Sequence, residues 1–153
     1  MNEITVRNSR VSDTESIYKL LRVIADLHRT ARPDMFDGLV SKYTESEVKE
    51  RLSNEDNGVF VAEIEGAVVG YVFCEVIKEG SGNTLYIDDL CVDENARKQG
   101  VGKLLVDKAG EYAKQKSCTC LMLNVWEFNE NAISFYEKYG FTTRTRHMEL
   151  KFQ

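Results

Sequence analysis

The stretch Ile87-Asp88-Asp89-Leu90-Cys91-Val92-Asp93-Glu94-Asn95-Ala96-Arg97-Lys98-Gln99-Gly100-Val101-Gly102-Lys103-Leu104-Leu105 changes character midway. Leu85 to Val92 is dense in apolar residues and reads as a strand. From Val101 onward, Val101, Leu104, Leu105, Ala109 and Tyr112 recur at helical spacing. Between the two lies Arg97 to Lys103, with glycines at 100 and 102. Those glycines remove side chains where a ligand would approach the backbone. The amides of residues 98–103 would then point out of a helix N-terminus, where the dipole is positive. The result is a socket for a pyrophosphate, to which Arg97, Lys98 and Lys103 add charge. Gln99 and Val101 complete it. The spacing is neither the dinucleotide GxGxxG nor the phosphate loop GxxxxGK followed by Ser or Thr. Without a ligand, the same glycines would serve only to cap the helix.

The sequence on either side supplies the rest of a fold. Upstream, Val59–Ile64 and Ala67–Ile77 read as strands joined by a two-residue hairpin turn, Glu65-Gly66. Ile4–Val6 is a short first strand. Ser12 and Glu15 have capping-box spacing and predict a helix from Asp13 to Arg29. Thr44 and Glu47 predict a second helix, through Leu52. Thr30–Tyr43 reads as a loop. Downstream, Cys118–Val125 is a near-continuous apolar strand of the buried parallel kind. Asn129 is placed to cap a helix that ends at Gly140. Phe141–Phe152 alternates weakly and reads as a last strand. The pattern predicts one α+β domain over residues 1–153, with a mixed, mostly antiparallel central sheet and helices on both faces.

Bulk properties narrow the partners. Net charge is −5 over 153 residues and the sequence pI is near 5.2. That disfavours nucleic acid, which needs a basic footprint. No apolar leader opens the chain. The longest apolar run, Ala67–Cys74, is far short of the ~20 residues of a membrane span. Cys74, Cys91, Cys118 and Cys120 all fall in strand-like runs and read as buried, reduced thiols. His28 and His147 stand alone, so no metal site is expected. The expected setting is the cytoplasm.

Taken together, IDDLCVDENARKQGVGKLL closely resembles the acetyl-CoA-binding motif of the GCN5-related N-acetyltransferases. In that motif a loop of Arg or Gln, two residues, Gly, one residue, then Gly or Ala follows a strand and opens a helix. Arg97, Gly100 and Gly102 match every fixed position. Asn129, Ala132, Ile133, Phe135, Tyr136, Glu137, Lys138, Gly140 and Phe141 resemble the second signature of the same family. The resemblance runs from Ile4 to Lys151.

It implies an acetyl-CoA-dependent acyltransferase. The backbone of Leu90, Cys91 and Val92 would pair with the pantetheine arm, beside a strand that splays over Leu121–Val125. Asn129 would touch the pantetheine or phosphate end, and Tyr136 would lie near the sulfur. An amine is mostly protonated at neutral pH and must lose a proton before it attacks. The departing thiolate benefits from a proton donor, a role that falls to Tyr136. Some relatives carry a basic glutamate where this chain has Asn124. Asp88 and Asp89 are the alternatives and resemble the acidic pair of diamine and polyamine acetyltransferases. Regular alternation would put them on opposite faces, so only one could face a cleft. Glu75 and Glu127 are weaker candidates. Arg32-Pro33-Asp34-Met35-Phe36 lies where such folds place acceptor-site loops. Trp126 and Phe128 could wall that site or simply pack.

The expected reaction is direct acetylation of a primary amine, of a small molecule first and of a protein N-terminus or lysine second. A CoA-binding module without catalysis is the alternative class. The short tail leaves an open sheet edge, which predicts a homodimer.

Overall fold

The computed structural model describes residues 2–152. One sheet contains β1 (Ile4–Asn8), β2 (Val59–Ile64), β3 (Ala67–Glu79), β4 (Gly82–Val92) and β5 (Cys118–Leu123), in that spatial order. Neighbours are antiparallel except β4 and β5, which are parallel. The helices are α1 (Thr14–Ala31), the single-turn α2 (Pro33–Phe36), α3 (Glu45–Leu52), α4 (Val101–Gln115) and α5 (Glu130–Tyr139). The fold is the expected α+β mixed sheet with helices on both faces.

Local chemistry explains several boundaries. Glu65 and Gly66 both have positive φ, 52° and 80°, as a tight hairpin turn between twisted strands requires. Thr44 accepts from the Glu47 amide at 3.1 Å, and the Glu47 carboxylate accepts from the Thr44 amide at 3.0 Å. That reciprocal box starts α3. Asn129 caps α5 by accepting from the Ala132 amide at 3.3 Å. At the far end, the Gly140 and Phe141 amides both return to the Tyr136 carbonyl.

Alternation along the strands divides the interior in two. Phe60, Ala62, Val72, Cys74, Leu85 and Ile87 face α4, with Val101, Leu105 and Ala109 packed on them. Val59, Val61, Tyr71 and Phe73 face the other way, onto Ile17, Leu20 and Leu21 of α1 and Val48 and Leu52 of α3.

Two expectations are corrected. Ser12 does not cap α1. A 3-10 turn over Val11–Asp13 precedes that helix, and Asp13 is buried instead. Its carboxylate accepts from both terminal nitrogens of Arg7 at 2.9 Å and from the Arg10 amide at 2.7 Å. An arginine on β1, out of reach of any local pattern, sets where the helix begins.

The tail does not form a strand. Its charged residues alternate with apolar ones, but they are drawn into ion pairs rather than a backbone ladder. Arg144 pairs with Glu79 at 2.9 Å, Glu149 with Arg32 at 2.6 Å and Lys151 with Asp34 at 3.1 Å. Met148, Leu150 and Phe152 point outward. β5 therefore remains the sheet edge, which leaves Cys118 half-buried and Cys120 exposed, while Cys74 and Cys91 are buried as expected.

Candidate active site

The site begins where two strands part. β4 and β5 pair from Asn83↔Cys118 to Ile87↔Leu123. Leu121 to Leu123 are thus still in the ladder, and the separation expected from Leu121 begins only at Asn124. Beyond Ile87, the outer edge of β4 has no strand beside it among the described residues. On the inner side Leu90, Cys91 and Val92 pair with Val72, Tyr71 and Gly70 of β3.

Where the strands part, β4 carries one residue too many. Cys74 pairs with Ile87, but the preceding Phe73 pairs with Asp89, so Asp88 is the extra residue of a bulge. The face presented by each residue shifts accordingly. Leu85 and Ile87 face α4, whereas Cys91, of the same parity, faces α1. Regular alternation is broken, and the expectation that Asp88 and Asp89 oppose one another is wrong. Both carboxylates reach tyrosines of the α1 side, Asp88 the hydroxyl of Tyr43 and Asp89 that of Tyr71.

Their surroundings differ. Asp88 is held by the connector between α2 and α3. Tyr43 donates to one carboxylate oxygen, and the Lys42 ammonium donates to the other at 3.0 Å and to the Asp88 backbone carbonyl at 2.8 Å. Tyr43 is fixed by stacking on Phe73, with ring centroids 5.8 Å apart. Lys42 and Tyr43 stand in an irregular segment, and no sequence pattern singles them out. Asp89 accepts from Tyr71 at 3.0 Å. Burial pushes its carboxyl above the usual carboxylate range, although the Lys42 charge and the Tyr71 bond oppose the shift.

Burial and the nearby Asp89 also raise the Cys91 thiol to about 12 and push the Tyr136 phenol above its ordinary value. Tyr136 therefore lies within electrostatic reach of Asp89. Its ring is held edge-on by Phe135 and Phe141, at 5.2 and 5.4 Å.

A raised carboxyl destabilises the fold at high pH, where the group is charged and buried. It has no such effect below the unfolded value near 3.9, where both states are protonated. Asp89→Asn keeps an acceptor for Tyr71 and removes the charge. We expect its melting temperature to exceed that of the unaltered chain at pH 8, and the gap to close on acidification. A melting series across pH checks this.

The glycine loop is shaped as the sequence suggests, with one change of role. Gly100 has φ 89° and is the N-cap of α4, and a Cβ there would meet nothing within 4 Å. Lys98 also has positive φ, 65°. Gly102 is different, because a Cβ there would lie 3.1 Å from the Phe135 ring. Its small size seats α5 against α4. Val101 is buried and anchors the loop in the core. Arg97 turns back to the Val92 carbonyl at 3.4 Å, Gln99 reaches the Asn95 carbonyl at 3.5 Å, and Lys103 pairs with Asp107 at 3.0 Å. α4 has no acidic residue in its first turn, so its N-terminal amides face outward with no local anion.

The proposed acceptor loops pack together. His28, Phe36, Trp126 and Phe128 form a closed ring of aromatic contacts with centroids 5.0 to 5.7 Å apart. At that spacing the rings fill one another's faces, so Trp126 and Phe128 pack, tying the segment after β5 to α1 and α2. Burial, then the charge of Lys42, lowers the pKa of His28, which stays neutral at pH 7. Glu75 and Glu127 are exposed and bond to none of these groups. Asn124 reaches the Tyr86 hydroxyl at 3.3 Å.

Residues 22–141 match the model of the acetyltransferase (GNAT) family. YhfO, an uncharacterized N-acetyltransferase of Bacillus subtilis (strain 168), is 29% identical over 144 residues, covering 93% of this chain and 92% of its own length. Thialysine N-epsilon-acetyltransferase of Mus musculus is 28% identical over 153 residues, covering 92% of this chain and 85% of its own. The crystal structure of a mutant BH1408 protein from Bacillus halodurans superposes with a TM-score of 0.84 at 25% identity, covering 97% of this chain and 99% of that one. With its fold, its parted strands and its glycine loop at a helix start, the chain belongs to the acetyltransferase (GNAT) family and is an acyltransferase.

Proposed function

We propose that this enzyme transfers the acetyl group of acetyl-CoA to a primary amine of a small molecule, by direct attack in a ternary complex. The observation that supports this is the open edge of β4 from Asp88 to Val92, which carries Asp89, with Tyr136 within electrostatic reach of that carboxyl. Leu90, Cys91 and Val92 offer backbone groups to an extended pantetheine arm. The amides from Gly100 to Lys103, with Arg97 and Lys98 nearby, suit its pyrophosphate. Asn129, at the start of α5, is the candidate for the pantetheine or phosphate end.

Acetyl-CoA supplies the activated acyl group, and the chain's own residues manage the protons. Asp89, its pKa raised toward neutrality by burial, is better matched than an ordinary carboxylate to take a proton from an ammonium. Asp88, with both oxygens engaged, orients the connector. Tyr136 stays protonated at neutral pH and can hydrogen-bond the sulfur as negative charge builds there. Cys91, held near 12, is a protonated thiol and not a nucleophile, which favours direct transfer over an acyl-enzyme. A small acceptor is supported by the name of the mouse relative, thialysine N-epsilon-acetyltransferase. It is also supported by the wall that Arg32, Asp34, Glu149 and Lys151 build beside the aromatic cluster. The outward Met148, Leu150 and Phe152 support a second subunit over the tail.

The test is calorimetry with acetyl-CoA. Gly100→Ala and Gly100→Glu share the same backbone strain, since both place a Cβ at positive φ. Only the second adds a negative charge at the helix start. We expect Gly100→Glu to bind about tenfold or more weakly than Gly100→Ala, as like charges meet. Equal affinities in folded proteins would overturn the phosphate site. Release of free CoA across a panel of small amines, thialysine among them, then identifies the acceptor.

A further inference from the structure

We propose that Lys42 is itself an acceptor, acetylated on its side-chain nitrogen within its own chain when no free amine is present. The inference rests on the transferase reading above. Lys42 carries a primary amine, and it is the only lysine among the described residues bonded to the candidate acidic pair. Its nitrogen lies 3.0 Å from the Asp88 carboxylate and 2.8 Å from the Asp88 backbone carbonyl. Asp88 is the first residue of β4 past the last pair with β5, so the ammonium sits at the mouth of the gap.

Leu90, where the pantetheine-binding edge begins, is two residues along, about 7 Å at the usual rise per residue in a strand. The Lys42 side chain is 45% exposed and springs from an irregular connector, so a swing of its four-carbon stem covers that distance. The groups facing it are those an acceptor ammonium would need. Asp88 and Tyr43 lie on one side, Asp89 within electrostatic reach, and neutral His28 on the aromatic wall. A lysine side chain is also close in shape to the thialysine named for the mouse relative.

The step balances without a further reagent. The Lys42 ammonium gives one proton to the carboxylate pair and thence to solvent. Its lone pair forms the C–N bond at the thioester carbonyl, the C–S bond breaks, the sulfur leaves with that electron pair, and the second proton shed by the nitrogen passes to the sulfur. The net products are one acetylated lysine, one free CoA thiol and one released proton. Acetylation removes the charge that holds Asp88, so the product lysine no longer competes for the acidic pair.

The test uses the purified full-length chain with acetyl-CoA and no added amine, followed by intact mass and peptide mapping. We expect one acetyl group per chain, on Lys42. It should form at a rate independent of protein concentration and about tenfold or more faster than on exposed lysines such as Lys78, because the amine is already positioned. A free amine acceptor should slow the labelling, and Lys42→Arg should abolish it. Labelling no faster than at Lys78, or a rate that rises with protein concentration, would overturn the proposal. If free amines are acetylated while Lys42 stays unmodified, the proposal fails and the transferase reading stands. If acetyl-CoA does not bind at all, both fall.

Discussion

Tyr136→Phe should leave the fold intact and reduce kcat by about 10²–10⁴-fold, the usual worth of a general acid. The ring contacts to Phe135 and Phe141 do not use the hydroxyl. No side chain among the described residues bonds that hydroxyl either, so its removal strands no partner. A phenol raised by burial cannot give its proton away completely to a free thiolate, whose unperturbed value is near 8.5. Its contribution must come as charge builds on sulfur, and so appear in kcat more than in acetyl-CoA affinity. Single-turnover kinetics with a true acceptor, alongside calorimetry, separates the two. Full kcat in Tyr136→Phe, with chemistry limiting, would return this residue to a packing role.

The second large effect concerns stability, far from the gap. Asp13→Ala should cost about 1.5–3 kcal/mol, the usual worth of hydrogen bonds to a charged group, because Arg7 keeps its ion pair with Glu63. That is a large part of the ~5–15 kcal/mol that holds a typical domain together. Arg7 would lose both bonds to Asp13, and the Arg10 amide would lose its acceptor at the start of α1. Burial pushes the Asp13 carboxyl up, but Arg7 and Arg10 outweigh it and hold the group below its ordinary value. A carboxyl lowered in the folded state contributes its stability above the unfolded value near 3.9 and loses it as pH falls through the folded one. Urea midpoints of the two proteins should therefore lie far apart at pH 7 and converge in strong acid. Equal midpoints at pH 7 would show that the pair adds nothing.

Features set by neighbours in sequence were legible. The Thr44–Glu47 box, the Glu65-Gly66 turn, the Asn129 cap and the helix start at Gly100 each depend on residues within a few positions, and each stands where the pattern puts it. Features set by distant partners were not. Gly102 looks like a ligand-facing glycine until Phe135 of α5 is found against it. Ser12 has the right spacing for a cap, but Arg7 claims Asp13 instead. Lys42 and Tyr43 lie in a segment without period, and only the return of that connector over β4 brings them to Asp88. The tail alternates like a strand, yet its charges are drawn to Arg32, Asp34 and Glu79. The acidic pair was visible as residues. Its arrangement was not, because a bulge leaves no mark in a run such as Ile87-Asp88-Asp89-Leu90.

The extra residue in β4 makes chain length as consequential there as chemistry. Substituting Asp88 leaves the two-against-one pairing of the strand available, and the last four residues of β4 keep their faces. Deleting it would let the ladder heal. Asp89, Leu90, Cys91 and Val92 would keep Phe73, Val72, Tyr71 and Gly70 as partners, and with them their faces, Leu90 toward α4 and Cys91 toward α1. Deleting Asp89 as well would instead turn Leu90, Cys91 and Val92 by half a period, swinging Cys91 toward α4 and Leu90 away from it. Loss of one residue between Ile87 and Leu90 should therefore spare the core and cost only the contacts of Asp88, whereas loss of both should unfold the chain, as thermal melts of the two deletion variants would show.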